Sequence, residues 1–394
     1  MARYRYLIVG GGMTADAAVR GIRQIDARGS IGIVGAETHP PYDRPSLSKG
    51  LWKGKPLEQI WRRTETLGVD LRLGHTIQTL DLPAKEAVEV GGERIGFEKL
   101  LLATGGTPRT LGTNAGQVIY YRTLDDYRRL RELADHRKRF AVIGGGFIGT
   151  EIAAALAMNG REVVMIFPER TLAARQFPAE LAQFVSDYYR AKGVELWTGD
   201  SVEAVEQIGS AWAVKTRAGR ETQVDAVVAG LGITANVGLA QSAGLDVDNG
   251  IIVDELLRTQ HPDVYAAGDV AAFYSPALGK RLRVEHEDNA NTMGLAAGRM
   301  MAGQKEPYHH LPFFYSDMFE LAYEAVGELD ARLEMVADWT EPNKEGIIYY
   351  LKDERVRGVL LWNVWQQLDA ARRLIAEPGP LTAKELIGRL PAAK

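Results

Sequence analysis

Two glycine fingerprints, far apart in the chain, limit what it can fold into more than any other feature. The first is Gly10-Gly11-Gly12-Met13-Thr14-Ala15, entered from Tyr6-Leu7-Ile8-Val9. The second is Gly144-Gly145-Gly146-Phe147-Ile148-Gly149, entered from Phe140-Ala141-Val142-Ile143. Each follows a short apolar strand and opens an alanine-rich helical stretch, the context in which G-x-G-x-x-G/A marks a dinucleotide site. The first glycine makes the tight turn and the second lets backbone approach a pyrophosphate. The third position, Ala15 or Gly149, must be small for the helix to pack on the strand. Two such units imply two dinucleotides, and electron transfer between them is the simplest reason to hold both. The chain contains no cysteine, which excludes an internal dithiol relay, thiolate metal sites and cysteine nucleophiles. Electrons must then leave the second cofactor directly.

The first unit runs from strand 6–9 through a helix over about 14–26 to Ile31-Gly32-Ile33-Val34, with Glu37 just beyond. Glu37 stands at about the 20-odd-residue spacing of the acid that binds an adenosine ribose. A proline-rich loop follows, Pro40 to Lys49, and then a strand region to Ala103, closed by Thr104-Gly105-Gly106-Thr107-Pro108-Arg109. The second unit repeats the pattern with strand 140–143, helix 147–158, an Asn159-Gly160 stop and strand 162–167. Strand 225–229 then leads into Gly230-Leu231-Gly232, and Asp263–Val270 reads as another strand ending at an acid, Asp269. Beyond residue 309 come aromatic-rich alternating strands, 347–351 and 356–362 among them, and a helix after Leu381.

The predicted fold is α/β, with two Rossmann-like dinucleotide-binding domains and a C-terminal α+β domain. The first domain is discontinuous (1–112 and 233–308), the second is inserted in it (113–232), and residues 309–394 form a cap or a homodimer contact. A length of 394 residues suits this division. The net charge of −4 gives no reason to expect a nucleic-acid or membrane-surface partner. No apolar run approaches the roughly 20 residues that span a bilayer. A strand so near the start leaves no room for a secretory leader, so a cytoplasmic location is expected.

The loop Pro41-Tyr42-Asp43-Arg44-Pro45-Ser46-Leu47-Ser48-Lys49-Gly50-Leu51-Trp52 and the run Ala103 to Arg109 resemble the FAD-dependent pyridine nucleotide-disulfide oxidoreductases. Within them the chain is most similar to the ferredoxin-reductase-like branch and the apoptosis-inducing-factor group with its bacterial relatives. Further matches are Phe167-Pro168-Glu169, Arg283-Val284-Glu285-His286, Phe314-Tyr315-Ser316-Asp317, Tyr323 to Gly327 and Leu361-Trp362-Asn363, so the likeness spans nearly the whole chain. The long polar C-terminal insertion of animal members is absent, as are the redox disulfide and the peroxidatic cysteine of other branches. The resemblance implies a flavoprotein oxidoreductase that takes hydride from NAD(P)H at flavin N5. Electrons would pass outward to a ferredoxin- or rubredoxin-type protein, a quinone or oxygen. The alternative is a slowly turning over NADH redox sensor that acts by interaction.

Residue by residue, Gly10, Gly12, Met13, Thr14 and Ala15 would cradle FAD, with Glu37 on its ribose. The resemblance adds Asp269 on the ribityl chain, and Arg44 and Arg122 on the adenine and phosphate side. Ile77, Ala103, Thr104 and Gly105 complete that set. It makes Lys49 an ammonium beside the flavin, ion-paired with Glu151, and sets Phe147 and Tyr315 against the flavin ring. It gives Glu285 to the nicotinamide amide and the His286 backbone to the flavin pyrimidine end. Gly144, Gly145, Gly146, Ile148, Gly149 and Gly232 would hold NAD(H), with Glu324 and Asn363 as weaker nucleotide contacts. Phe167 stands where the second unit's ribose acid is usual, and Glu169 follows two residues on. Glu169 favours NADH because a 2′-phosphate would face its charge. Arg170 and Arg175 lie close enough in sequence to offset it, which leaves NADPH open. Glu285-His286-Glu287-Asp288 mimics a metal cluster, but consecutive helical residues point apart and no metal is expected.

Overall fold

The computed structural model describes residues 2–112 and 117–390. The chain divides into two compact units, each built around one of the fingerprints.

The first unit joins Met1–Arg44, Pro56–Thr107 and Thr234–Pro312. In its sheet Asp70–Leu73, Ile31–Gly35, Ala2–Val9, Arg94–Leu102 and Val264–Ala266 pair in parallel, and Glu86–Glu89, then Ile77–Asp81, add antiparallel strands beside Arg94–Leu102. Leu7, Ile8, Leu100, Leu101 and Leu102 are fully buried, the continuous apolar pattern of parallel strands covered on both faces. Ala2–Val9 begins before the expected residue 6, because Ala2 to Tyr4 pair with Ile95 to Phe97 at the start of Arg94–Leu102. The helix Met13–Ile25 packs on Glu287–Met301 through glycine. A Cβ built at Gly298 would meet the Ala18 carbonyl oxygen at 2.0 Å, and one at Gly294 the Thr14 oxygen at 2.5 Å. Only glycine lets these two backbones approach so closely.

The second unit joins Pro45–Lys55, Pro108–Ile233 and Phe313–Lys394. Its parallel sheet runs Val194–Thr198, Glu162–Phe167, Arg139–Ile143, Ala226–Ala229 and Ile119–Tyr120. Here the fingerprint strand Arg139–Ile143 sits at the centre of the sheet. An antiparallel sheet of five strands follows, in the order Phe313–Met318, Leu321–Gly327, Arg355–Trp362, Glu345–Lys352 and Glu334–Glu341. The helix Leu368–Ala376 buries Ala371, Leu374 and Ile375. The helix expected after Leu381 is the four-residue Ala383–Leu386, held by a capping box of Thr382 and Glu385.

We keep as a proposal the three-domain division with boundaries at 112/113, 232/233 and 308/309. Residues 113 and 391–394 lie outside those described. Among the described residues no helix is long and apolar enough to cross a membrane.

Candidate functional site

In the first unit, Gly10 takes φ +122°, and a Cβ there would lie 2.1 Å from the Ala103 carbonyl oxygen. That residue must be glycine for the fingerprint turn to lie against Ala103. Gly12 begins the helix Met13–Ile25 with no side-chain cap, and nothing lies within 4 Å of a Cβ built on it. An uncapped helix start with open space before it is what an anionic pyrophosphate requires.

Glu37 accepts hydrogen bonds from Tyr42 Oη at 2.6 Å and Arg44 Nη2 at 2.6 Å. Burial works against the Arg44 charge, but Tyr42, Glu37 and Asp269 more than offset it, leaving its pKa above the usual arginine value. Arg44 N also contacts Met13 Sδ at 3.4 Å, which joins the proline-rich loop to the fingerprint. Asp269 lies in the single turn Gly268–Val270. A Cβ at Gly268 would meet Thr14 Oγ1 at 2.3 Å, so this acid arrives beside the same helix start. His286 caps the helix Glu287–Met301. Burial lowers its pKa to about 4 against the pull of Asp269 and Asp288, so it is neutral at physiological pH. Glu285 pairs with Arg283 at 2.7 Å. Ile77 is buried in the apolar core.

Several supports here were not readable in the sequence. Asn236 clips the Thr104-Gly105 turn: its Nδ2 donates to Thr104 O at 2.9 Å, its N to Gly105 O at 2.9 Å, and its carbonyl accepts from Thr104 Oγ1 at 2.8 Å. Asp16, fully buried, accepts from Arg20, Arg62 and Thr64. Arg62 reaches on to Asp43 and Asn291, each at 2.8 Å. Desolvation opposes the Asp16 charge, yet these donors hold its pKa below the usual carboxylate value.

The second unit repeats the cradle. Gly144 takes φ +110°, with a built Cβ 2.4 Å from Gly230 O, and one at Gly149 would lie 2.0 Å from Gly144 O. Gly146 starts the helix Phe147–Met158 without a side-chain cap, again with nothing within 4 Å of an added Cβ. Gly232 takes φ +80° and accepts a backbone hydrogen bond from Arg109. Ile148 is 38% exposed. Arg122 precedes Thr123, the cap of the helix Leu124–His136.

Lys49 Nζ lies 2.7 Å from Glu151 Oε1, with the two side chains 14% and 2% exposed. Glu151 also accepts from Ser48 Oγ at 2.6 Å and Ser316 Oγ at 2.7 Å. Three donors from two separate segments thus compensate a carboxylate taken almost wholly out of water. Lys49 Nζ stands 5.0 Å from the Tyr315 ring centre, a cation–π distance. Phe147 meets Phe314 edge-on at 5.5 Å. Glu169 pairs with Arg175 at 2.6 Å.

The two weaker candidates differ from each other. Asn363 is committed within the fold, since its Oδ1 accepts from Ala322 N and its Nδ2 donates to Lys344 O. Glu324 keeps one buried carboxylate oxygen without a hydrogen-bond partner, and burial raises its pKa against the influence of Arg372. Among the described residues no group of three or more His, Cys, Asp or Glu side chains is placed to hold a metal ion.

Residues 4–294 match the family Pyridine nucleotide-disulphide oxidoreductase. Residues 297–345 and 340–377 match Apoptosis-inducing factor, mitochondrion-associated, C-term. The chain is 33% identical over 382 residues to the anthranilate 1,2-dioxygenase system ferredoxin–NAD(+) reductase component of Burkholderia cepacia, covering 94% of each. It is 32% identical over 417 residues to the mitochondrial apoptosis-inducing factor 1 of Dictyostelium discoideum, covering 95% of this chain and 78% of that one. In structure it is similar to the covalent putidaredoxin reductase–putidaredoxin complex, with a TM-score of 0.89, 28% identity, and coverage of 96% of this chain and 94% of that one.

Proposed function

The chain belongs to the pyridine nucleotide-disulphide oxidoreductase family, and from that premise we propose that it carries electrons from NADH to a ferredoxin-type iron–sulfur protein. It is an NAD(P)H-dependent FAD oxidoreductase of the ferredoxin-reductase type. The observation that carries the proposal is a pair of open, uncapped glycine cradles, one in each unit, in a chain with no cysteine. A family member without a dithiol must hand its electrons directly to an outside acceptor. The Burkholderia relative is named for a ferredoxin, and the solved neighbour is bound to putidaredoxin.

FAD, when bound, would supply the hydride- and electron-transfer chemistry. The chain's residues bind, orient and tune. In our reading Gly10, Gly12 and the start of Met13–Ile25 hold the FAD pyrophosphate, Glu37 its ribose and Asp269 its ribityl chain. Gly144, Gly146 and Gly149 hold the nicotinamide dinucleotide. Glu151 positions Lys49 as the fixed cation that favours charge gained on reduction. Phe147 and Tyr315 offer aromatic faces. His286, neutral at physiological pH, adds no second cation through its ring. The C-terminal match to apoptosis-inducing factor favours one second reading, a redox sensor with slow turnover.

Supplying NADH and an oxidised two-iron ferredoxin to the FAD-loaded protein separates these readings. The reductase reading expects ferredoxin reduction at least tenfold faster than electron flow to a quinone or to air, since a docked acceptor gains the advantage of held geometry. An NADH-reduced protein that is stable in air and does not reduce ferredoxin supports the sensor instead.

A further inference from the structure

We infer that Arg62 is a positioning residue for the flavin cofactor, tying the proline-rich loop that carries Tyr42 and Arg44 to the start of the first fingerprint helix. The inference rests on reading the first cradle as the FAD site.

The loop from Pro40 to Arg44 pairs with the chain through an antiparallel bridge between Tyr42 and Trp61. Asp43 N donates to Ile60 O at 2.8 Å, and Arg62 N to Pro41 O at 3.0 Å. The Trp61 ring meets Tyr42 edge-on at 6.1 Å. Two backbone bonds leave so short a pairing free to pivot, and the Arg62 side chain removes that freedom. Its Nε donates to Asp16 Oδ2 at 2.7 Å, its Nη1 to Asp43 Oδ1 at 2.8 Å and its Nη2 to Asn291 Oδ1 at 2.8 Å. One planar guanidinium thus joins the fingerprint helix, the loop and the helix Glu287–Met301, in a fixed geometry that a lysine ammonium lacks.

The helix end of this tie lies at the cradle itself. Asp16 N donates to Gly12 O at 3.3 Å, so the carboxylate stands about one turn from the open helix start. It is fully buried, and it accepts also from Arg20 Nε at 2.8 Å and Thr64 Oγ1 at 2.7 Å. Arg20 closes the ring by donating to Arg62 O at 2.7 Å. Within the cluster two acids, Asp16 and Asp43, face two arginines, so it sets no net charge against an anionic pyrophosphate. The loop end delivers Tyr42 Oη and Arg44 Nη2 to Glu37, each at 2.6 Å. Apolar residues of the same volume often hold a core together as well as a buried ion pair does. They cannot give a directed link from the helix start to the loop, and that link is the role assigned to Arg62.

FAD affinity by equilibrium dialysis of the FAD-loaded protein, with thermal unfolding as the second readout, tests this. Each variant is unfolded at the same multiple of its own FAD dissociation constant, so that bound cofactor contributes equally to stability. Arg62→Ala is expected to bind FAD about ten- to hundredfold more weakly and to unfold at a lower temperature. Asp16→Leu combined with Arg62→Met replaces the buried pair by apolar side chains and keeps the remaining charges, Asp43 and Arg20, in balance. This double variant is expected to unfold at the wild-type temperature or above it, and still to bind FAD at least about tenfold more weakly. Asp43→Ala, at the 37%-exposed loop end of the tie, leaves the core untouched. It is expected to weaken FAD about two- to tenfold with no change in unfolding. A double variant that recovers FAD affinity together with stability overturns the inference, as does wild-type FAD affinity in Arg62→Ala or Asp43→Ala. Wild-type FAD affinity in all three, with ADP-ribose binding to the FAD-loaded protein lost instead, overturns the assignment of the first cradle, and the inference with it.

Discussion

Gly149→Ala is expected to give a yellow, FAD-loaded protein that NADH reduces poorly, and Gly10→Ala a protein that has lost its flavin. In the second unit the third fingerprint position is so close to the turn that an added Cβ would stand 2.0 Å from Gly144 O. The helix Phe147–Met158 must then move off the turn, and its uncapped start leaves the place where a pyrophosphate would meet it. Overpacking of this kind costs about 1–3 kcal/mol, which, if it falls on the cradle, weakens the dinucleotide roughly 5- to 150-fold. The first unit carries alanine at the same position, Ala15, and tolerates it. Its sensitive residue is Gly10, where a side chain meets both a left-handed backbone at φ +122° and the Ala103 oxygen at 2.1 Å. Flavin absorbance after purification and the rate of bleaching by NADH read out the pair. A colourless Gly149→Ala beside a yellow Gly10→Ala would mean that the two cradles have been assigned in reverse.

Lys49→Ala is expected to lower the flavin reduction potential and slow hydride transfer. As the fixed cation proposed beside the flavin, this ammonium would stabilise charge gained on reduction. At about 4 Å and an effective dielectric near 20, a unit charge is worth on the order of 4 kcal/mol. Each 1.4 kcal/mol lost from a two-electron couple lowers the potential by about 30 mV. Glu151→Ala should change the potential less, because the cation stays and only its positioning is lost. The double mutant should be non-additive, since the two side chains touch at 2.7 Å. Ser48 and Ser316 continue to donate to Glu151 in Lys49→Ala, which limits the cost in stability of the lost pair. Potentiometry on the three variants decides the matter, and an unchanged potential in Lys49→Ala would remove the lysine from the flavin.

What the sequence disclosed follows from how local each signal is. The fingerprints with their strands and helices are set by spacing within a few dozen residues, so they could be read directly. The Lys49–Glu151 pair came from resemblance alone, because residues a hundred positions apart carry no shared periodicity. Nothing in a linear reading joins Ser48 and Ser316 on one carboxylate, or Asn236 to the Thr104-Gly105 turn. The glycines Gly294 and Gly298 look like ordinary helix weaknesses until the backbone of Met13–Ile25 is seen against them. The helix Leu368–Ala376 leaves little signal in the sequence because it is short and begins at Gln367 without a side-chain cap. Nearness in sequence makes Arg175 an offset to Glu169, but the backbone there is fixed by Ala331, in the turn before the strand Glu334–Glu341, and by Tyr350, which reaches Gln176 from the strand Glu345–Lys352.

The central claim is that the two cradles hold an electron donor and its acceptor. Anaerobic mixing of the purified wild-type protein with NADH, followed through the flavin absorbance, tests it most directly. The account predicts a protein that is yellow with about one FAD per chain, and that one equivalent of NADH bleaches it, since hydride carries the two electrons the flavin takes up. A flavin that keeps its colour under excess NADH and NADPH, or a colourless protein that also fails to take up added FAD, would contradict it.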